Sequence, residues 1–198
     1  MNTKVFSLAA ALALGGVLLI PSTSSAQTAE EHNTYVAVKF GPYFPTETNP
    51  FSAVTGSVEN WPTKWELDAA FGAYWGLFGL QLSAGYLTTG SGDQDFKAFP
   101  ILAIARVRLP LGFIAPYGEG GAGVAISTLS GVGGASSTVA AFEGIAGAGV
   151  DFYLGQLLLG AELKYLWLNP SFTFTGQQAG TSFKFNGITV QAYVGYMF

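Results

Sequence analysis

The chain has no cysteine among its 198 residues, which excludes disulfides, thiolate metal sites and a lipid anchor on an N-terminal cysteine. Charge is scarce too: 10% of residues are Asp, Glu, Lys or Arg, against about 25% in ordinary soluble domains. There is a single histidine, His32, so most acid–base and metal chemistry has little to draw on. Beyond the first twenty residues no apolar run is long enough for a spanning helix, which needs about 20 residues. Phe99 to Tyr117 comes nearest and is broken by Arg106, Arg108, Pro100, Pro110 and Pro116. The formal charge of −4 and pI near 4.8 argue against a nucleic-acid partner or a polybasic membrane-surface role.

What the chain has in plenty is apolar surface, 49% hydrophobic residues, 15% aromatics and 27 glycines. A hydrophobic chain without helical spans has one other way to satisfy its backbone in lipid, a closed barrel of strands. The first residues carry Lys4, an apolar stretch Val5 to Ile20 and small residues ending at Ala26. That pattern predicts a secretory signal, 1–26, cleaved after Ala26. A short acidic linker, 27–33, leads to one domain, 34–198.

Strict apolar/polar alternation marks strands with two unlike faces. It recurs over Thr34 to Phe40, Trp65 to Trp75, Phe78 to Thr88, Ala98 to Leu109, Ala115 to Ser127, Val139 to Phe152, Leu157 to Trp167 and Ile188 to Phe198. Between these stretches, Tyr43 to Pro62, Thr89 to Asp95, Thr128 to Thr138 and Asn169 to Phe183 are loops by composition. Long connections alternate with short turns. The expected fold is therefore all-β, an eight-stranded antiparallel up-and-down transmembrane β-barrel, with long loops at one end and both termini at the other.

Charge placement is the internal check. Lys39, Glu66, Asp68, Arg106, Arg108, Glu119, Glu143, Asp151, Glu162 and Lys164 all fall on the parity opposite the apolar face. Asp93, Asp95 and Lys97 fall in a loop or at strand ends. A barrel of eight strands has just enough interior for side chains to fill it, and charges enclosed there must pair or be hydrated. These residues are expected to form a plug of ion pairs, the alternative being a polar permeation path. Pairing about the turn near Leu111 sets Arg106 opposite Glu119. The same logic brings Lys164 near Glu143, and Lys39 to Glu66 or Asp68. Outward aromatics, among them Trp65, Trp75, Phe78, Tyr86, Phe152, Tyr165 and Trp167, cluster towards strand ends, where interfacial girdles sit.

Three patterns suggest chemistry and fail on context. Gly118-Glu119-Gly120-Gly121-Ala122-Gly123 matches the dinucleotide fingerprint in letters, but that motif needs a helix after its turn, and here a strand alternation runs through it. Glu66 and Asp68 resemble a carboxylate pair, yet no histidine supports them and they read first as ion-pair partners. Asp93 and Asp95 on a loop are a weak cation signal. No cofactor, metal site or catalytic group is expected.

The final strand ends Val194-Gly195-Tyr196-Met197-Phe198, with Val194, Tyr196 and Phe198 on its apolar face. This resembles the C-terminal targeting strand of bacterial outer-membrane β-barrels. In architecture the chain is similar to the small eight-stranded barrels of the OmpA/OmpX type. The resemblance implies an outer-membrane location, lipids of that membrane as partners, and the outer-membrane assembly machinery as reader of the last strand. It also implies a periplasmic side for the termini and long loops outside, where an extracellular ligand could bind. Functions within this group range from surface stabilisation and adhesion to passage of small solutes and lipid modification. For this chain it implies first a structural or surface-interaction barrel, then a narrow channel for small or hydrophobic solutes, and no enzyme, because the histidine is misplaced.

Overall fold

Alternation of side chains with a period of two becomes, in three dimensions, a wall with an oily outside and a polar inside. A computed structural model describes residues 34–46, 63–91, 94–132, 135–173 and 181–198; the expected signal, 1–26, and linker, 27–33, lie outside them. The strands are β1 (Thr34–Pro45), β2 (Lys64–Trp75), β3 (Phe78–Ser91), β4 (Gln94–Arg108), β5 (Ile114–Val132), β6 (Ala135–Leu154), β7 (Leu157–Leu168), β8 (Ser171–Phe172), β9 (Thr181–Ser182) and β10 (Gly187–Met197). Eight of them close antiparallel, each beside its neighbour in sequence, with β10 returning to β1. β8 and β9 form a separate miniature hairpin inside the last long connection.

At the short-turn end the chain reverses in two residues at Gly76 and again at Gly155, each at positive φ (63° and 67°), a conformation that favours glycine. At the long-loop end the strands run further than composition predicts. Thr89 to Ser91, Gln94 to Asp95 and most of Thr128 to Thr138 belong to strands, because Ser and Thr there still satisfy the ladder and bond across it. Thr128 meets Thr138 at 3.0 Å and Ser130 meets Ser136 at 3.2 Å; such cross-strand hydroxyl pairs stabilise sheets. This extension carries Asp95 and Lys97 onto the outward parity of β4. There they pair with each other at 2.5 Å, so Asp95 is committed to a lysine, and Asp93 lies outside the described residues. The glycine-rich fingerprint sits wholly inside β5, with no helix to follow.

The outward face is apolar throughout its middle. Leu82, Ile101 and Phe142 are 62%, 61% and 70% exposed, an exterior that makes sense only against hydrocarbon. Aromatic pairs stand towards its ends: Phe40 on Trp65 at 4.7 Å, Tyr86 by Phe99 at 5.0 Å, Tyr165 against Trp167 at 4.7 Å. No helix among the described residues is long and apolar enough to cross a membrane; the strands do the crossing.

Inside, four tyrosines lie flat over glycines that face them in register: Tyr35 over Gly72, Tyr74 over Gly79, Tyr117 over Gly149 and Tyr193 over Gly160. A Cβ at any of these glycines would clash with the tyrosine, 2.1–2.5 Å from its nearest atom. Gly160→Val is therefore expected to lower stability by about 1–3 kcal/mol through overpacking. Urea unfolding in vesicles measures this, and an unchanged midpoint would refute the ring-on-glycine packing.

Candidate functional site

The inward side chains divide the lumen into a floor, a belt and a roof. At the floor, by the short turns, the tyrosines converge on Asp151. Tyr74 and Tyr153 donate to Oδ2 at 3.2 and 3.1 Å, and the Tyr193 hydroxyl donates to Oδ1. Arg108 lies 3.9 Å over the Tyr74 ring and donates to the Tyr153 hydroxyl at 3.2 Å and to the Gly76 carbonyl at 3.2 Å. Tyr35 stacks on Tyr74 at 5.5 Å and donates to Gln81 at 2.8 Å. Hydroxyls thus fix a buried carboxylate that no lysine reaches.

The belt lies above. β4 and β5 pair so that Arg106 stands opposite Glu119, and the guanidinium meets that carboxylate at 2.9 Å. Arg106 also reaches Glu162 at 3.2 Å across the lumen and donates to the hydroxyls of Tyr74 (3.3 Å) and Tyr117 (3.2 Å). Glu162 Oε2 gathers Lys39 at 2.6 Å and the Tyr117 hydroxyl at 2.9 Å as well. A second group sits around Lys164, which bridges Glu66 and Asp68 at 2.8 Å each. Thr189 donates to Glu66 at 2.7 Å and Gln191 to Asp68 at 3.0 Å. All of these side chains are buried.

Two of the expected pairings are corrected. Lys39 does stand beside Asp68 in register, yet its ammonium pairs with Glu162, because Asp68 is held by Lys164 and Gln191. Lys164 faces Gly147 on β6, two inward positions from Glu143, and pairs with β2 instead. In a narrow barrel, long side chains meet across the lumen as readily as along the wall. Pairing rules between neighbouring strands cannot anticipate that. Glu143 is left with neither carboxylate oxygen bonded.

The roof, at the long-loop end, is apolar and was missed. Phe172, Phe183 and Phe185 come from the connection between β7 and β10, which composition marks simply as loop. They fold in over Leu87, Phe96, Ala98, Leu129, Leu166 and Leu168. Phe185 stacks on Phe96 at 3.6 Å, and Phe172 meets Phe183 at 5.7 Å. The Tyr43 hydroxyl donates to the Phe185 carbonyl at 2.7 Å, the Leu168 amide to Asn186 at 3.0 Å and the Phe185 amide to the Leu168 carbonyl at 2.8 Å. Four phenylalanines, Phe172, Phe174, Phe183 and Phe185, fall within fourteen residues of this connection, and that density is the signal that points inward.

Among the described residues no three His, Cys, Asp or Glu side chains are grouped to hold a metal ion, and His32 lies outside those residues. Glu66 and Asp68 serve Lys164. Among the described residues the arrangement offers paired charges and packed rings, with Glu143 the acid that has both oxygens unbonded. Of the last-strand residues, Val194 and Phe198 are exposed outward and Tyr196 donates to Gln156 at 2.7 Å.

No protein-family model matches the chain, and no curated protein matches it in sequence. Among solved structures it is similar to the Neisserial surface protein A, with a TM-score of 0.65 at 14% identity, covering 83% of this chain and 97% of that one. The outer membrane protein OprG of Pseudomonas aeruginosa gives 0.56 at 14%, covering 84% and 96%. Ail, the attachment invasion locus protein of Yersinia pestis, gives 0.51 at 17%, covering 85% and 99%. At such identities the likeness is one of fold. The chain is a small eight-stranded β-barrel of the outer-membrane type, and its apolar wall requires a bilayer around it.

Proposed function

We propose that the protein is a sealed, non-catalytic barrel of the bacterial outer membrane whose role is structural and interactive, with its long loops presented at the cell surface. The observation that carries this reading is the filling of the lumen at every level: tyrosines and Asp151 below, ion pairs in the middle, phenylalanines above. An interior of this width is filled by ordinary side chains, and each belt charge is held by partners whose removal strands it. Lipids are its permanent partners, the assembly machinery of the outer membrane its inserter, and any ligand meets the loops rather than the lumen.

A narrow channel is the second reading. It is favoured by one feature, that the roof is a connection rather than barrel wall and could swing aside. Conductance in planar bilayers separates the two. The sealed barrel predicts no steady open-state current from the purified full chain. Sustained single-channel currents would overturn it and make the roof a gate.

A further inference from the structure

On β3 to β6 the outer wall changes from apolar to polar within one step of the ladder. One outward row carries the rings of Tyr86 and Phe99, 5.0 Å apart, with Ile126 beside Phe99. The next outward row, towards the long loops, reads Thr88, Lys97, Thr128 and Thr138, each opposite its neighbour. The row beyond sets Asp95 between Gly90 and Ser130. Aromatic rows of this kind mark the level of the headgroups. Lys97 and then Asp95 therefore stand where hydrocarbon gives way to lipid charge.

Among the described residues Lys97 and Asp95 form the one ion pair outside the lumen. Their side chains stay open, 38% and 46% exposed. The ammonium has donors to spare and the carboxylate a second oxygen, so both can bind a further partner without breaking the bridge. An exposed pair contributes little by itself, but this one has a direction. Its positive residue lies nearer the hydrocarbon, and its negative residue stands one ladder row farther out, about 5 Å along the membrane normal on a tilted strand. A zwitterionic lipid headgroup has the opposite order, with the phosphate at the glycerol and the ammonium beyond it. Side by side, the two dipoles set each charge against its opposite. Thr88, across from Lys97 on β3, adds a hydroxyl that can donate to a phosphate oxygen.

We propose that the outward face of β4, at its long-loop end, binds one zwitterionic phospholipid headgroup, with the phosphate on Lys97 and the ammonium on Asp95. The site rests on the barrel's seating in a bilayer and not on the sealing of its lumen. The test is urea unfolding of the full chain at low ionic strength, where exposed charges are least screened. It compares vesicles of phosphatidylcholine with vesicles of phosphatidylglycerol, whose headgroup carries the phosphate without the ammonium. Exchanging the pair, Lys97→Asp together with Asp95→Lys, keeps the bridge and the net charge and reverses the direction. In phosphatidylcholine the exchanged variant is expected to unfold at a midpoint about 0.3 M below that of wild type; equal midpoints would overturn the proposal. Asp95→Asn should lower the midpoint in phosphatidylcholine and not in phosphatidylglycerol, where no ammonium meets the carboxylate. An equal loss in both lipids would assign Asp95 to Lys97 alone and overturn the headgroup site. A wild type that folds in neither vesicle would overturn the bilayer reading on which the site rests.

Discussion

Arg106→Ala is expected to destabilise the barrel by about 3–5 kcal/mol, the usual effect of breaking a buried ion pair from one side. The guanidinium is the hub of the belt: it holds Glu119 at 2.9 Å and Glu162 at 3.2 Å, and its plane packs 4.1 Å from the Tyr117 ring. Without it Glu119 has no basic partner, while Glu162 keeps Lys39 at 2.6 Å. Glu119→Ala should do less harm, because Glu162 and two tyrosine hydroxyls still hold the arginine. The double variant should therefore lie close to Arg106→Ala alone, with a coupling of about 1–3 kcal/mol. A double-mutant cycle of urea midpoints in vesicles reads this directly, and strict additivity would mean the two residues are not partners. From sequence alone, pairing about the short turn sets Arg106 opposite Glu119, and loss of Glu119 alone is then expected to destabilise more than loss of both. The second carboxylate, Glu162, reached across the lumen, reverses that order.

On the outer wall, Arg at Ala146 or Val194 should cost about 2–4 kcal/mol, since both positions face outward near mid-strand and a guanidinium there meets hydrocarbon. Val194 is 51% exposed on a face that is otherwise apolar. The neighbouring inward position, Gly147, makes an imperfect control. A Cβ there would lie 2.7 Å from the Leu163 carbonyl oxygen, so any side chain strains the wall from within. A better control is Ser136, exposed at the long-loop end of β6, where Arg should change little. Equal midpoints for the variants at Val194 and Ser136 would mean that Val194 does not face lipid.

Most of the architecture was written in the alternation of residues. Parity alone placed Lys39, Glu66, Asp68, Arg106, Glu119, Glu162 and Lys164 inside and Trp65, Leu82 and Phe142 outside, because a one-residue slip would reverse every face. Strand length was less legible. Thr128 to Ser130 and Ser136 to Thr138 look like loop, yet their backbones stay paired above the membrane, where water tolerates polar side chains on both faces. The partners within the lumen were legible only between neighbours joined by a short turn, as with Arg106 and Glu119. Lys39 with Glu162 and Lys164 with Glu66 cross the interior, and no local rule measures that distance. The tyrosine–glycine pairs were written in the register, Tyr193 against Gly160 for instance. The roof was hidden for a different reason: Phe172 keeps the inward even parity of β7 and Phe183 and Phe185 the inward odd parity of β10, but the polar residues between them read as loop, and the packing depends on where a long connection returns.

The absence of cysteine allows the closed lumen to be tested with a single introduced thiol. Gln191→Cys, at a belt position 1% exposed, and Ser136→Cys, at the long-loop rim, should both give folded barrels in vesicles. Exposed to a membrane-impermeant maleimide, Ser136→Cys should label promptly and Gln191→Cys should stay unlabelled until the barrel is unfolded in urea. Labelling of Gln191→Cys in the folded protein as fast as the rim thiol would show an open aqueous lumen and contradict the sealed barrel.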